Sequence, residues 1–193
     1  MEQLLQDISN CILCRQHLMN GERPIVTADT ASKIIIVGQA PGLAVHQTGI
    51  PWDDKSGDTL RNWMQIDKNT FYNPKEIALI PMGFCYPGKG KSGDLPPRKE
   101  CAPQWHQKLL DCMPGVRLTI LVGRYAQLYH LKESNKNTLT ETVRNFEEYL
   151  PQYFVLPHPS PRNNIWQARN EWFIHEVIPK LRHKVVETLK KNL

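Results

Sequence analysis

Two sets of residues in this sequence have the types and spacing to do chemistry. The first is thiols: Cys11 and Cys14 are spaced C-x-x-C, and fifteen residues separate Cys85 from Cys101. Thiolates spaced this way in a turn can converge on one metal, and four of them suit zinc or an iron–sulfur cluster. Cys112 lies outside the pattern and reads as a small buried hydrophobe. The second set is a pair of loops. Ile34-Ile35-Ile36-Val37 reads as a strand buried on both faces, and beyond Gly38 the residues Gln39-Ala40-Pro41-Gly42 turn out of its carboxyl end. Tyr153-Phe154-Val155-Leu156 runs in the same way into Pro157-His158-Pro159-Ser160-Pro161-Arg162-Asn163. Ligands bind at the carboxyl edge of open α/β sheets. If the two strands are parallel and near neighbours, two rigid loops face each other across one crevice.

The elements that must position these loops follow from periodicity. Residues 2–19 read as an amphipathic helix ended by Asn20-Gly21, and residues 22–32 as a connector in which Ile25 and Val26 can form a short edge strand. A polar loop is expected from strand 34–37 to Trp52, then a helix opening at Ser56 or Gly57 and running to Met64. Further strands are expected at 77–80, 118–122 and 153–156, and helices at 101–112, 124–131 and 139–148. The stretch 83–99, rich in glycine, proline and basic residues, reads as loop. A last helix over about 164–190 should kink at Pro179, and its Lys-rich end, Lys184 to Lys191, suits the negative end of the helix dipole. Strands alternating with helices predict an α/β fold: a three-layer α/β/α sandwich around a central, mainly parallel four-stranded sheet, one domain spanning residues 1–193.

Composition narrows the function classes. Hydrophobic content of 40% and charged content of 22% are those of a soluble globule, and a net charge of +5 suits a polyanionic partner. No 18-residue apolar run exists, so a membrane span is not expected. The N-terminus lacks a basic start followed by an apolar run, which points to the cytoplasm, where thiols stay reduced or hold metal.

The segments Gly38-Gln39-Ala40-Pro41-Gly42, Thr48-Gly49-Ile50-Pro51-Trp52 and His158-Pro159-Ser160-Pro161-Arg162-Asn163 resemble, in order and spacing, the motifs of the uracil-DNA glycosylase superfamily. The likeness is greatest to its iron–sulfur families four and five, and it covers about residues 5 to 180. It implies a 4Fe–4S cluster on Cys11, Cys14, Cys85 and Cys101, with zinc as the alternative. It also implies that Trp52 stacks an extruded base and that His158 stabilises the departing base anion. Gln39 stands where family four has glutamate and Ala40 where family one has its water-activating aspartate, so both are expected against the base. The carboxylate role then passes to Asp54, with Asp53 as the alternative beside the base; helix capping is the competing role for both acids. The base-reading asparagine of the family has no counterpart among Pro81-Met82-Gly83-Phe84, which leaves backbone amides there to read the base. For DNA contacts, Lys89 and Lys91 sit on a flexible basic loop, and Ser160, Arg162 and Asn163 stand where relatives touch the duplex.

These residues imply a monomeric DNA glycosylase that hydrolyses the N-glycosidic bond of uracil or a related modified base in DNA, in base excision repair. The reading from another class is a catalytically silent nucleic-acid-binding protein on the same scaffold.

Overall fold

The computed structural model describes residues 1–190. In chain order the strands are β1 Ile34–Val37, β2 Ile77–Leu79, β3 Lys89–Gly90, β4 Gly93–Asp94, β5 Leu118–Val122 and β6 Tyr153–Leu156. The helices are α1 Glu2–Ser9, α2 Leu43–Thr48, α3 Lys55–Met64, α4 Lys68–Tyr72, α5 Cys101–Asp111, α6 Arg124–Leu131, α7 Leu139–Arg144, α8 Asn164–Arg169 and α9 Ile178–Lys190. The central sheet has the order β2-β1-β5-β6, and every pairing in it is parallel. All residues of β1, β2 and β5 are buried, as strands covered by helices on both faces must be. On those faces α9 packs against α3 and β1, and α1 packs against α5.

The chain leaves β1 toward β2 on one side and later returns to place β5 on the other. That reversal opens a gap at the carboxyl edge beside β1, the usual place for a ligand in such sheets. The two loop-bearing strands β1 and β6 are not paired with each other; each pairs with β5.

Several local expectations are corrected. The first helix stops at Ser9 and the chain turns through residues 11–14 into a 3-10 turn at Arg15–His17, leaving Ile12 and Leu13 exposed. Leaving the helix there frees Cys11 and Cys14 from the apolar face that a longer helix would have presented to the core. The polar loop before Trp52 contains α2, which is under two turns long and too short to show an apolar period. Its last carbonyls receive the Arg23 guanidinium, at 2.6 Å from His46 O and 2.8 Å from Gln47 O, a cation at the negative end of a helix. The expected edge strand at Ile25 and Val26 is reduced to one antiparallel bridge between Thr27 and Leu79. Within 83–99, β3 and β4 pair as a small antiparallel hairpin. The helix expected at 139–148 gives way to a 3-10 turn at Phe146–Tyr149. The C-terminal helix breaks at Asn170 rather than at Pro179. A π-turn over Phe173–Val177 leads into α9, widening the backbone where the Pro179 ring would otherwise strike the carbonyl four residues earlier. Trp63, Trp166 and Phe173 close this end of the core edge to face, with Phe173 5.0 Å from Trp63 and 5.5 Å from Trp166. The basic run ends at Lys191, which lies outside the described residues.

One buried pair makes the fold sensitive to acid. His106 and His130 stack with ring centroids 5.6 Å apart. Burial pushes both down from 6.5 to about 4, and the charge of His106 works in the same direction on His130. The unfolded chain therefore binds protons that the folded chain refuses between pH 6.5 and about 4. Stability is present above that window and falls as pH drops through it. His130→Phe should flatten this acid limb, read as the change in urea midpoint between about pH 7 and about pH 5; an unchanged slope would place the acid sensitivity elsewhere.

Candidate active site

The loops after β1, β2 and β6 meet at the carboxyl edge around a crevice of about 470 Å³, within the usual range of about 300–1,000 Å³ for small-molecule sites. Gln39, Ala40, Trp52, Asp54, His158, Ser160, Arg162 and Asn163 all line it. Asp53, Lys89 and Lys91 do not. The two lysines stand exposed on the hairpin, while Ser92, Gly93 and Asp94 of the same hairpin face the crevice.

Trp52 fixes the shape of the site. Its backbone sits at φ 59°, a left-handed conformation uncommon for a bulky residue. The indole then lies over Gly38, where a Cβ would come within 2.7 Å of Cζ2. A Cβ at Gly57 would collide with the Trp52 carbonyl itself. That carbonyl accepts a bond from buried Arg61 Nη1 at 3.3 Å. Arg61 is held in turn by Asp58 at 2.6 Å and the Tyr72 hydroxyl at 3.1 Å, with its guanidinium over the Phe71 and Tyr72 rings. The glycine of Gly38 thus serves the indole as well as the turn, and the cation that steadies Trp52 comes from α3, nine residues on.

His158 stacks beside Trp52, with ring centroids 5.9 Å apart and planes 28° from parallel. Its Nδ1 accepts the Ser160 backbone N–H at 3.2 Å, so the neutral ring carries its proton on Nε2. Burial lowers its pKa and the Asp54 charge opposes that shift. The His-Pro-Ser-Pro turn closes on itself: the Asn163 amide donates to the His158 carbonyl at 2.7 Å, and Ser160 Oγ accepts from the Arg162 backbone N–H at 3.3 Å.

Asp54 takes the capping role and also borders the crevice. One carboxylate oxygen caps α3 by accepting the Gly57 N–H at 2.8 Å, which puts the helix start at Lys55 rather than at Ser56 or Gly57. The residue also borders the crevice and its charge reaches His158. Asp94 is a second carboxylate at the crevice, bonded by the Tyr86 hydroxyl at 3.4 Å. No sequence signal marked it, because the tiny hairpin that turns it inward has only two residues per strand.

The expectation that amides of residues 81–84 read a base is corrected. Pro81 has no N–H; the Met82 N–H bonds Gly38 O at 2.9 Å, the Gly83 N–H bonds Gln39 O at 3.0 Å, and the Phe84 N–H faces Cys101 Sγ at 3.4 Å. These donors hold the Gln39 loop against the extension of β2 and are already used. The Arg162 side chain is engaged too, with Nη1 2.9 Å from Ser92 O, which fastens the hairpin to the His158 loop.

Cys11, Cys14, Cys85 and Cys101 line a second, small pocket with Leu18, Phe84 and Trp105. Burial pushes the Cys85 thiol up to about 11 and the Cys101 thiol to about 12. Arg98 lies beside Cys14 and pairs with Glu100. Cys112 is not part of the pocket. Among the described residues no group of three or more His, Cys, Asp or Glu is arranged to hold a metal ion. The donor set thus has the soft chemistry of a thiolate site, while its sulfurs are not gathered as the ligands of one ion are.

A central sheet whose strands are all parallel, with a stacked Trp–His pair in a crevice at their carboxyl edge, has the usual form of a ligand site at a topological switch point. The profile of the Uracil DNA glycosylase superfamily matches residues 25–182, and the chain belongs to that superfamily. A solution NMR structure from Methanosarcina acetivorans, which carries the provisional name uracil DNA glycosylase, is similar at 18% identity and a TM-score of 0.45, over 83% of this chain and 98% of that one. Among the described residues, no helix is long and apolar enough to cross a membrane.

The anchoring of Trp52 can be tested by stability. Gly57→Ala, which opposes a backbone carbonyl, should cost about 1–3 kcal/mol. Gly38→Ala should displace the indole and change its fluorescence with a smaller loss, because a ring can move where a backbone cannot. Urea denaturation of both variants checks this; native midpoints for both would mean that Trp52 is not held as described.

Proposed function

We propose that the crevice excises uracil, or a related modified base, from DNA by hydrolysis of the N-glycosidic bond. The observation that carries this reading is the Trp52–His158 pair: a broad aromatic face and a neutral imidazole N–H share one crevice. A base removed from deoxyribose leaves as an anion from an oxocarbenium-like sugar, so the site must stack the base, donate to it and admit water. Trp52 stacks the extruded base. His158 donates from Nε2 to the developing anion. Gln39, whose backbone carbonyl is held by the Gly83 N–H, presents a side-chain carboxamide whose donor and acceptor can pair with a pyrimidine edge. The Asp54 oxygen not used for capping offsets the positive sugar or holds water. Lys89, Lys91 and the Ser160–Asn163 turn supply the contacts to the DNA backbone, with Arg162 acting through its grip on the hairpin. We read the protein as a cytoplasmic monomer working in base excision repair.

In the same reading the four-cysteine pocket holds a 4Fe–4S cluster. Four thiolates drawn from three separate segments suit such a cluster, with zinc as the alternative. Bound there, the cluster would supply a structural cross-link between the N-terminal turn and the 85–101 segment. Cys11 and Cys14 offer sulfurs from that turn, Cys85 from the chain after β2 and Cys101 from the start of α5. Anaerobically purified protein should be brown and contain iron, and Cys112→Ala should leave the iron in place; colourless protein with stoichiometric zinc would overturn the cluster. Cys11→Ala should lose the metal and lower the urea midpoint.

The catalytically silent reading is favoured by one observation: the amides at Met82, Gly83 and Phe84 are already bonded, and no asparagine stands there. Single-turnover excision from uracil-containing oligonucleotides decides between the two readings. His158→Ala should slow excision about 100- to 1,000-fold with DNA affinity nearly unchanged, since the side chain acts after the base is extruded. Asp54→Asn should be equally or less damaging. Absence of excision by the native protein across a panel of damaged bases would leave the silent binder.

A further inference from the structure

Beside the crevice lies a second hollow of about 670 Å³, walled by Tyr125, Leu128 and Tyr129 of α6 and by Leu95, Pro96 and Pro97 after the hairpin. The three α6 residues are spaced i, i+3, i+4 and so share one helix face. Leu95 is 41% exposed, Tyr125 41%, Leu128 44% and Tyr129 38%. Single exposed hydrophobics are ordinary, but a contiguous set lining one groove marks an interaction surface. Two features identify its occupant. Pro87 and Leu95 line both this groove and the crevice, so the two hollows share a wall. The groove is also lined by Arg98 and Lys99 and by no carboxylate. Arg98 is paired with Glu100, while Lys99 has no ion pair among the described residues.

We propose that this groove carries single-stranded nucleic acid continuing from the crevice, with bases stacked on Tyr125 and Tyr129 and phosphates beside Lys99 and the hairpin lysines. The proposal rests on the reading that the crevice takes a base from DNA. Aromatic faces beside a cationic rim are how proteins hold an unpaired strand without reading its sequence, because every base has a π-face. A duplex hides those faces, so this surface selects an unpaired strand. An apolar peptide would satisfy the tyrosines and prolines, but it would explain neither the cation without a carboxylate nor the shared wall with the crevice.

The test uses labelled, uracil-free single strands of about 4 and about 16 nucleotides, and the longer one also as a duplex, in fluorescence anisotropy with the whole protein. The longer strand should bind more tightly than both the short strand and the duplex. Tyr125→Ala should weaken the longer strand about 5- to 100-fold and leave the short one unchanged. Tyr125→Phe, which keeps the ring, should restore it. Lys99→Ala should lower the salt dependence of the longer strand by about one unit of slope. Equal affinity of native protein and Tyr125→Ala for the longer strand overturns the proposal and assigns the groove to an apolar protein partner; a preference for duplex overturns it as well. The probe contains no uracil, so the outcome is separate from that of excision. A protein that excises no base yet shows the Tyr125 dependence removes the glycosylase reading and keeps the groove. An active glycosylase without that dependence loses only the groove.

Discussion

The candidate site depends on one unfavourable backbone conformation, the left-handed turn at Trp52. Such a conformation costs about 1–3 kcal/mol and persists only where its surroundings over-determine it. Here three features do so: the bare backbone of Gly38 beneath the indole, the bare backbone of Gly57 beside the carbonyl, and the buried Arg61 guanidinium bonded to that carbonyl. Arg61 is itself a buried charge, and it is neutralised by Asp58 and covered by two aromatic rings. The backbone strain at Trp52 fixes the indole at the border of the crevice.

The crevice walls are tied to one another by backbone and side-chain hydrogen bonds. The carbonyls of Gly38 and Gln39 accept the amides of Met82 and Gly83, so the loops after β1 and β2 move as one piece. Pro81, which lines the crevice, has its carbonyl bonded by His106 at 2.9 Å, which links the wall to the buried histidine pair. The third wall, the His158 loop, reaches the hairpin through Arg162 and Ser92. Cys85 and Cys101 bracket that hairpin segment, so the cysteine pocket lies at both of its roots. A group bound by the four thiols would therefore brace the hairpin, and with it the wall shared by the crevice and the tyrosine groove, without touching a ligand.

The strands and loops of the site were legible in the sequence because they carry strong local signals. Ile34–Val37 and Tyr153–Leu156 are unbroken apolar runs and Leu118–Val122 is interrupted only by Thr119; each ends at glycine or proline, and a run buried on both faces has little choice of conformation. The same local logic marked His158 between prolines and the C-x-x-C turn, whereas Trp52 was marked by the resemblance of its loop to a family motif. The expected end of the first helix failed because residues 11–19 keep an apolar period that the turn at Cys11–Cys14 overrides. Helix α2 escaped notice because six residues are too few to show a period, and a cation from residue 23 helps to hold its end.

What only the tertiary structure decided concerns partners distant in the chain. Sequence left Asp53 and Asp54 as alternatives; in the fold Asp54 borders the crevice and Asp53 does not. It used up the amides of Met82 and Gly83 on the neighbouring loop, brought Asp94 to the site and locked Arg162 to Ser92. It also set Tyr125, Leu128 and Tyr129, which read locally as one ordinary helix, against prolines some thirty residues earlier. The sequence by itself determined which segments are strands and which residue types stand at their carboxyl ends, because burial and backbone preference act over a few residues. Which side chain meets which across the crevice was decided by chain crossovers that bring β1, β2 and β6 to one edge, and that information resides in no single stretch of the chain.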